Sequence, residues 1–400
     1  METHLSPEHK DTSDGKLAES ILRKCVHCGF CNATCPTYQL LGDENDGPRG
    51  RIYLMKQMLE GNDVEEKTLL HLDRCLTCRS CETTCPSGVE YSKLLEVGRK
   101  VAEEKIQRPT QQLRLRKILR KTLPNSERFK MLVKSGQLFK PFLPKSLKKK
   151  IPERSTPSAW PTSQHTRKML ILDGCVQPAI RPQTNSAAAN VLDKLGVSVI
   201  KADKAGCCGA VSLHLSAEEE ALAAMKRNID AWWPEIEAGA EAIIMTASGC
   251  GVTVKEYAHH LRDDVEYAEK AQRVSDLTKD IAEILLAEED ISSATTPKTL
   301  AWHPPCTLQH GQKITGVVEA LLTKAGHTLV PVQDQHLCCG SAGTYSILQT
   351  DISQQLQVNK LKHLTANKPE MIVTANIGCQ THLQEDADIP VIHWIELFTD

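Results

Sequence analysis

The sequence is poor in aromatic residues and has no strong overall charge. Only 4% of its 400 residues are Phe, Trp or Tyr, and the formal net charge is −2. A nucleic-acid-binding protein usually has a basic surface, often with aromatic rings that stack on bases. This composition argues against nucleic acid as a partner.

Long apolar runs and nucleotide-binding fingerprints are also missing. No stretch approaches the roughly 18 consecutive apolar residues of a membrane span, and the N-terminal sequence METHLSPEHKDTSDGK has no apolar core followed by a cleavage site. We therefore expect a soluble, cytoplasmic chain. The sequence contains no GxGxxG after a predicted strand, no P-loop and no flavin fingerprint, so hydride chemistry would require another subunit.

Cysteine, in contrast, is abundant. The chain has 16 cysteines, and they lie in tight clusters. In a long chain without an export signal, such clusters indicate metal or redox chemistry rather than disulfides. A length of 400 residues with 40% hydrophobic content is enough for two or three domains that fold without disulfides.

Two N-terminal segments share the pattern CxxCxxCxxxCP, one beginning at Cys25 and the other at Cys75. Three thiolates at this spacing can bind one 4Fe-4S cluster, while the fourth cysteine, next to a proline, binds the other cluster. The pattern therefore predicts two clusters with crossed ligands. The ligands predicted for one cluster are called the first cysteine set (Cys25, Cys28, Cys31 and Cys85), and those for the other are called the second cysteine set (Cys75, Cys78, Cys81 and Cys35).

The alternative for these eight cysteines is a pair of zinc sites. Zinc also binds thiolates, but four-ligand zinc sites do not explain three evenly spaced cysteines plus a Cys-Pro in both copies. The 39 residues between the motifs, with a helix-like stretch at 52–59, favour a helical ferredoxin domain over a compact βαβ-type one. We predict this domain at 20–104, after a polar leader at 1–19, and we expect His27 to be a surface or tuning residue.

The C-terminal part contains an internal repeat. In each half, one cysteine is followed 32 residues later by a Cys-Cys-Gly turn, and a last cysteine follows 42 or 40 residues after that turn. The four cysteines of the first half are called the third cysteine set (Cys175, Cys207, Cys208 and Cys250), and those of the second half are called the fourth cysteine set (Cys306, Cys338, Cys339 and Cys379). Further cluster sites are expected at these two sets.

Strand-like and helix-like stretches alternate in both halves. The predicted strands are 168–172, 197–200 and 242–246 in the first half (166–295), and 299–302, 328–332 and 371–375 in the second half (296–400). Such alternation predicts parallel α/β sheets, whose ligand sites lie beyond the carboxyl ends of the strands. All eight cysteines follow strand ends, so each set should converge. The expected fold is therefore α+β multidomain: a helical ferredoxin domain followed by two homologous α/β halves.

Local sequences in both parts resemble a known family. CVHCGFCNATCPTYQLLGDENDGPRGRIYLMK and HLCCGSAGTYSILQ are similar to the iron-sulfur subunits of glycolate oxidase (glycolate dehydrogenase), and the resemblance covers residues 20–400. Anaerobic glycerol-3-phosphate dehydrogenase and heterodisulfide reductase subunits share the architecture more loosely. The resemblance implies an electron-transfer subunit that is inactive alone. Separate flavin (FAD) subunits would oxidise glycolate to glyoxylate, and a quinone or another acceptor would receive the electrons.

Three other functions fit the same motifs. The chain could serve another flavin dehydrogenase, acting on D-lactate or glycerol 3-phosphate. It could be a thiol-disulfide reductase similar to heterodisulfide reductase, with the Cys-Cys-Gly halves reducing a disulfide substrate. A zinc-stabilised scaffold without enzymatic activity is the third alternative.

The two halves depart from a pattern seen in some relatives, which bind an unusual cluster through a fifth cysteine. Thr253 and His382 stand at the fifth position here. Four thiols per half still leave four alternatives open: a cubane cluster, a zinc ion, a reducible disulfide, or a fold that binds no metal. Three histidines, His303, His310 and His336, lie near the fourth set in sequence. Each could be a ligand, a proton donor to a reduced quinone, or an ordinary loop residue.

A basic linker is predicted at 105–165. Residues 105–154 contain sixteen Lys or Arg and two acidic residues, so this stretch has a charge of +14 and the remainder −16. Apolar residues alternate with the lysines, as in segments that lie on membrane surfaces. Attraction to anionic lipid is worth about 1 kcal/mol per basic residue, so we expect peripheral contact with the cytoplasmic face of the inner membrane. The alternative is packing against flanking domains or a partner subunit.

Overall fold

The computed structural model describes residues 1–144, 148–149, 151–288 and 296–399. The chain forms two compact units: the first unit contains residues 1–117 and 336–360, and the second unit contains 118–335 and 361–400. The predicted boundary between the two halves, at 295, lies outside the described residues. Among the helices that are described, none is long and apolar enough to cross a membrane.

The first unit is built from helices and loops, which confirms the expected helical N-terminal domain. Its α-helices are Pro7–Lys10, Ser13–Lys24, Phe30–Ala33, Pro36–Leu41, Pro48–Leu59, Glu66–Asp73, Ser80–Thr84, Tyr91–Lys105 and Tyr345–Leu348. A 3-10 turn spans Glu44–Asp46, and the helices Thr110–Thr122 and Thr350–Thr365 begin in this unit. The segment 336–360, which carries the second Cys-Cys-Gly turn, thus belongs to the N-terminal unit.

The core of the first unit lies between Ser13–Lys24, Pro48–Leu59 and Tyr91–Lys105, three helices that contact one another. Each helix places apolar residues three or four positions apart, so that they share one face. Met55 and Leu94 are fully buried there. Gly98 allows the close helix contact, because a Cβ at this position would overlap the Met55 side chain.

The first nineteen residues differ from the expected polar leader. They form the helix Pro7–Lys10 and the beginning of Ser13–Lys24, and they belong to the first unit. Ala18 is fully buried, one turn before Ile21 and Leu22. The charged residues between these positions mask the helical apolar spacing, which is why composition alone suggested a leader.

The second unit contains two four-stranded parallel sheets, ordered β2-β1-β3-β4 and β6-β5-β7-β8. The strands are β1 Arg167–Ile171, β2 Val197–Lys201, β3 Ile243–Met245, β4 Thr278–Asp280, β5 Thr299–His303, β6 Thr328–Leu329, β7 Met371–Thr374 and β8 Val391–His393. The identical order confirms two homologous α/β halves. Strand β6 is shorter than expected, because Pro331 has no N–H for the ladder.

Helices connect the strands of both halves. The described helices of the second unit, including those before the first strand, are Ser126–Phe139, Gln177–Ile180, Gln183–Lys194, Ala210–His214, Glu218–Glu237, Ser248–Lys255, Tyr257–His260, Ala268–Leu277, Ile281–Leu286, Val317–Lys324 and Ile377–Gln384, with the short helical turns Lys140–Phe142, Thr307–Gly311 and Trp394–Phe398. The alternation of parallel strands with helices explains why both faces of each sheet are covered.

Strand β1 shows how the core is divided. Met169 and Ile171 point to a core that also contains residues of the second half, such as Trp302. Leu170 and Leu172 point the opposite way, into a separate core under the helix Glu218–Glu237. Because side chains alternate along a strand, a parallel strand covered on both faces is apolar throughout.

Within the second unit, the two halves meet at the carboxyl ends of β3 and β7. The Ser248 N–H donates to the Ala375 carbonyl at 3.1 Å. His393 Nε2 donates to the Thr246 carbonyl at 2.8 Å, while its Nδ1 accepts from the Ile395 N–H at 3.2 Å. These contacts place the loops after the two central strands beside each other.

Candidate metal centres

The two CxxCxxC loops have the same backbone conformation. His27 and Thr77, at equivalent positions, both have φ near 55°, and Gly29 and Arg79, two residues later, have φ of 85° and 60°. Left-handed residues at these positions turn the chain sharply between successive cysteines. Both loops therefore bend in the same way around their three sulfur atoms.

A contact between the two motifs explains how their fourth cysteines cross. The short helices Phe30–Ala33 and Ser80–Thr84 touch, and Thr84 Oγ1 donates to Thr34 Oγ1 at 3.1 Å. Each threonine directly precedes the fourth cysteine of its motif, Cys35 or Cys85. The contact thus carries each fourth cysteine towards the opposite loop.

The four cysteines of the first set line one common pocket that is open to solvent. Burial, together with charge repulsion from the neighbouring Cys25, Cys28 and Cys85 thiols, raises the pKa of Cys31 to about 11. Such repulsion requires that the four sulfurs lie close together. Cys28 is exposed to solvent, whereas Cys25 is buried.

The second cysteine set lies deeper. Burial raises the pKa of Cys81 well above its usual value, and Cys78, Cys75 and Cys35 contribute charge repulsion, as does Glu82. Cys35, Cys75 and Cys81 are all less than a tenth exposed. The fourth sulfur of this set comes from the other motif, as it does in the first set.

The chemistry of these donor sets fits a metal centre. All eight thiols are free of disulfides, and their repulsion disfavours deprotonation unless a cation is present. Four converging thiolates are the usual ligands of iron-sulfur clusters and of structural zinc. The assignment of the eight residues as cluster ligands stays a prediction.

The second set is surrounded by polar groups that the cysteine motifs do not predict. The Tyr91 hydroxyl donates to Cys75 Sγ at 3.7 Å, and the Thr77 N–H donates to the same sulfur at 3.4 Å. Arg51, only 1% exposed, lies on the buried side of Pro48–Leu59 next to Ile52. A charged residue on the apolar face of a predicted helix was the signal that could have identified it.

The surroundings of the first set are more open. Arg49 pairs with Glu44 at 2.6 Å near the surface. His27 has its pKa lowered by burial and by the charge of Arg49. Val26 and Phe30, on either side of Cys28 in sequence, are more than half exposed. Solvent can therefore reach one edge of this set.

The third cysteine set also converges, in the second unit. Cys175 and Cys208 hydrogen-bond to Cys207 and hold its pKa well below the usual value for a thiol, with help from Arg227. Cys208 also hydrogen-bonds to Cys250, and its own pKa is raised by these two thiols and by burial. The sulfurs thus form a continuous row, as expected for loops at the carboxyl ends of β1, β2 and β3.

The first Cys-Cys-Gly turn is held by buried polar side chains. Asn228 Nδ2 donates to the Cys207 carbonyl at 3.0 Å, and the Tyr257 hydroxyl donates to the Cys208 carbonyl at 2.8 Å. Gly209 follows with φ of 97°, and a Cβ there would lie 3.1 Å from the Ala221 carbonyl. The turn is therefore fixed in one conformation. Thr253, at the fifth position, bonds to the Gly249 carbonyl of its own helix at 3.1 Å.

The fourth cysteine set is divided between the two units. Cys338 and Cys339 belong to the first unit, and Cys306 and Cys379 belong to the second. All four are buried. In the second turn, Gly340 has φ of 93°, and its N–H donates to Cys338 Sγ at 3.4 Å.

The three histidines near the fourth set lie in different environments. His303 ends strand β5 and is fully buried, and His310, in the turn Thr307–Gly311, is also buried. Both belong to the second unit, whereas His336 begins the segment 336–360 of the first unit. His382, at the fifth position of the second half, is buried in the helix Ile377–Gln384.

Two family descriptions match the chain. The 4Fe-4S dicluster domain matches residues 21–89, which contain both CxxCxxCxxxCP motifs. The Cysteine-rich domain matches twice, at residues 169–255 and 300–384. The chain is therefore an iron-sulfur protein with a duplicated cysteine-rich region.

Several named proteins are similar to the chain. The Glycolate oxidase iron-sulfur subunit of Escherichia coli is 55% identical, over 99% of this chain and 98% of that protein. The Probable glycolate oxidase iron-sulfur subunit of Bacillus subtilis is 30% identical, over 91% and 88%. Lactate utilization protein A of Bacillus licheniformis is 26% identical, over 58% of this chain and 98% of that protein.

One solved structure shares the fold. The crystal structure of a hypothetical protein from Helicobacter pylori aligns with a TM-score of 0.57 at 9% identity, covering 96% of this chain and 71% of that one. At this identity the similarity concerns the fold alone.

Proposed function

Because the chain belongs to the family of glycolate oxidase iron-sulfur subunits, we propose that it transfers electrons in the oxidation of glycolate to glyoxylate. The observation that carries this proposal is the convergence of eight cysteines, which form no disulfides, into two crossed quartets. As a subunit without a flavin fingerprint of its own, it would be inactive alone.

The first and second cysteine sets would each hold one 4Fe-4S cluster. When bound, each cluster accepts and releases one electron at a time. The thiolates of Cys85 and Cys35 would tie the two loops together by binding across them. Tyr91 and the Thr77 N–H would stabilise negative charge on Cys75 through their hydrogen bonds to its sulfur.

The electron count defines what this chain must do. On a partner subunit, FAD would accept two electrons and two protons from glycolate, which would become glyoxylate. This chain passes the two electrons singly to an acceptor, and a quinone that takes both electrons and two protons becomes a quinol. Because the partner handles an electron pair and the chain handles single electrons, two transfers complete each turnover.

The structure of the first unit suggests the direction of this route. The exposed Cys28 marks the edge that a partner can approach. Tyr345, in the segment 336–360, donates from its hydroxyl to the Arg74 carbonyl at 3.0 Å. After burial, the charges of Cys75 and Cys338 are among those that affect the pKa of Tyr345, raising it. We infer that electrons enter at the first set and leave the second set towards the Cys338 turn.

The third and fourth sets are proposed as additional metal sites. Four converging sulfurs at Cys175, Cys207, Cys208 and Cys250 suit one further iron-sulfur cluster. Zinc, a reducible disulfide or a fold without metal remain the alternatives for this set.

A different substrate is the second candidate function. The similarity to Lactate utilization protein A favours D-lactate as the alternative hydroxyacid, and glycerol 3-phosphate follows from the family resemblance. In either case the chain would serve another flavin dehydrogenase with the same electron route. A thiol-disulfide reductase would instead act without flavin partners.

Substrate-driven reduction of the purified complex tests the proposal. The chain is purified anaerobically with its flavin subunits, and iron, zinc and acid-labile sulfide are measured. Glycolate should then produce the low-temperature EPR signal of reduced 4Fe-4S clusters, whereas D-lactate and glycerol 3-phosphate should not. Zinc without labile sulfide, or reduction by D-lactate alone, would contradict it.

We further propose that the basic linker rests on the cytoplasmic face of the membrane. Between 126 and 142, large apolar side chains are exposed: Met131, Leu132, Leu138, Phe139 and Phe142. On a helix, positions 131, 132, 138 and 139 lie along one side. Lys130 and Lys134 occur on the same helix, so apolar insertion and attraction to anionic lipid can act together.

Vesicle flotation tests this contact. The double variant Phe139→Ser and Phe142→Ser should weaken binding to phosphatidylglycerol-containing vesicles more than tenfold, because burial of each Phe contributes about 1.5–3 kcal/mol. Val265→Ser, which changes a fully exposed apolar residue outside the basic linker, is the control. Changing Lys148, Lys149 and Lys150 to Glu tests the electrostatic part, although Lys150 lies outside the described residues. Failure of the unchanged protein to float would contradict the proposal.

A further inference from the structure

Arg51 is a buried charge whose surroundings call for an explanation. Its side chain is 1% exposed, and burying a guanidinium is costly unless it is paired and hydrogen-bonded. Arg51 Nε donates to the His71 carbonyl at 2.7 Å, Nη1 to Thr37 Oγ1 at 3.2 Å and Nη2 to Asp46 Oδ1 at 3.5 Å. All its nitrogens thus have partners, but only one partner is charged.

That charged partner is shared. Asp46 Oδ2 accepts from Arg74 Nη1 at 2.7 Å, and Asp46 Oδ1 lies 2.9 Å from His71 Nδ1. One carboxylate therefore faces two guanidinium groups, and the three together carry one excess positive charge. The ion pairs within this group therefore do not neutralise its positive charge.

The excess charge lies beside the second cysteine set. Thr37 Oγ1, which accepts from Arg51, is 3.3 Å from Cys35 Sγ. Burial alone would lower the pKa of Arg51, but the nearby Cys75, Tyr91 and Cys35 outweigh it and raise this pKa. The guanidinium is thus separated from one predicted ligand by a single hydroxyl group, and it interacts electrostatically with another.

Reduction of a cluster adds one negative charge to the site. In a buried site this charge is poorly solvated, so burial disfavours reduction and lowers the reduction potential. A fixed positive charge nearby has the opposite effect, because it stabilises the reduced state more than the oxidised state. Because the second set is more deeply buried, a fixed positive charge has a stronger effect there than at the exposed first set.

We propose that Arg51 raises the reduction potential of the cluster held by the second cysteine set, so that the buried cluster can accept an electron from the first. This inference rests on the proposed function, since it requires clusters at both sets. Arg51 is a positioning residue for charge and does not itself bind iron.

The same helix supplies a matched control. Arg49, two residues before Arg51, lies near the first set, but it is 37% exposed and is paired one to one with Glu44. Its charge is both neutralised and screened by solvent. A tuning effect should therefore depend on Arg51 and be much weaker for Arg49.

Redox titration monitored by EPR tests the proposal on the full-length, anaerobically purified protein. Arg51→Gln should reduce the equilibrium constant for reduction of one of the two clusters at least tenfold. For a one-electron couple this lowers its midpoint potential by about 59 mV. Arg51→Lys should retain most of the potential. Arg49→Gln should shift either potential by well under half of that amount.

A second variant, expected to shift the midpoint potential in the opposite direction, distinguishes a charge effect from misfolding. Asp46→Asn removes the negative charge that offsets Arg51 and should raise the same midpoint potential, a result that lost packing would not produce. Unchanged potentials in Arg51→Gln, an equal fall in Arg51→Lys, or a fall in Asp46→Asn would each overturn the proposal. The titration uses chemical reductants and mediators, so it stays informative if glycolate fails to reduce the protein.

Discussion

The first and second cysteine sets have the same sulfur spacing but different surroundings. Cys28 of the first set is exposed, and the exposed Phe30 lies close to it in sequence. In the second set, Cys81 is buried, the Tyr91 hydroxyl donates to Cys75 Sγ, and the buried Arg51 lies nearby. The spacing determines what can be bound, whereas the surroundings determine solvent access and reduction potential. The two sites thus share a ligand spacing but differ in their surroundings.

The two C-terminal halves differ in a similar way. Asp280 and His393 occupy equivalent positions at the ends of β4 and β8, and each caps the helix that follows. Both are buried. Burial raises the pKa of Asp280 to about 7 and lowers that of His393 to about 3, so both favour their neutral forms. The same position is occupied by an acid in one copy and by a base in the other.

The largest predicted effect concerns the crossing of the ligands. Cys25→Ser with Cys85→Ser removes two ligands from the first set alone, so about four irons per chain should be lost. Cys25→Ser with Cys35→Ser affects both sets, although the two residues share one motif, and about eight irons should be lost. Iron analysis and EPR on anaerobic samples measure the difference.

The two double variants are controls for each other, because each changes two cysteines. Equal iron loss in both would contradict crossed ligation. Loss of only about four irons from Cys25→Ser with Cys35→Ser would show that each motif binds its own cluster.

Solvent access predicts which cluster is lost first. Because Cys28 is exposed, the first cluster should be removed by an oxidant and chelator several times faster than the second. EPR spectra recorded during the treatment measure both rates. The Cys25→Ser, Cys85→Ser variant retains the second cluster and thereby identifies its signal. Equal rates, or earlier loss of the buried cluster, would contradict the difference in exposure.

Asp280 predicts a pH effect on stability. Its pKa rises from an ordinary value of 3.8 to about 7 on folding, so the native state binds this proton more tightly than the unfolded state. The resulting stability is complete below pH 3.8 and is lost as the pH rises through about 7. Asp280→Asn, which stays neutral, should therefore be more stable than the unchanged protein at pH 8, by an amount on the order of 4 kcal/mol.

The effect is measured from melting temperatures of the metal-loaded protein between pH 5 and 8, a range that includes the pKa of about 7 in the native state. Asp263→Asn is the control, because Asp263 is mostly exposed. A parallel pH dependence in Asp280→Asn and the unchanged protein would contradict the assignment.

The smallest predicted effect concerns the two loops. Gly29 and Arg79 have left-handed backbones at equivalent positions. Gly29→Ala should reduce stability by about 1 kcal/mol, the usual cost of this conformation for other residues. A Cβ there would meet the end of the flexible Arg49 side chain, which can move. Arg79→Gly should change stability by less, because lost strain and gained chain entropy offset each other. Thermal unfolding under anaerobic conditions compares them.

Features with a local signal could be predicted from the sequence. The cysteine spacing predicted two crossed sets, and apolar runs predicted strands β1, β3, β5 and β7 to within one or two residues. The fourth strands were missed because β4 is only Thr278–Asp280, with no apolar run. Such a strand depends on its neighbour in the sheet rather than on its own sequence.

The surroundings of the sites could not be predicted, because they depend on contacts between distant residues. The bond from Arg51 to the His71 carbonyl joins residues 20 positions apart, and the bond from Tyr345 to Arg74 spans 271. The placement of residues 336–360 in the first unit follows from contacts of this kind. No local pattern distinguishes the second Cys-Cys-Gly turn from the first, which remains with its own half.

The discontinuous first unit has a consequence for biosynthesis. Its two parts are separated by the 218 residues of 118–335, which a ribosome translates in about 11–44 s at roughly 5–20 residues per second. During this time the cysteines of residues 25–85 have left the ribosome, but the segment that completes their unit has not been made. We therefore expect the final packing around the second set to form only near the end of translation, and cells must keep these thiols reduced until then.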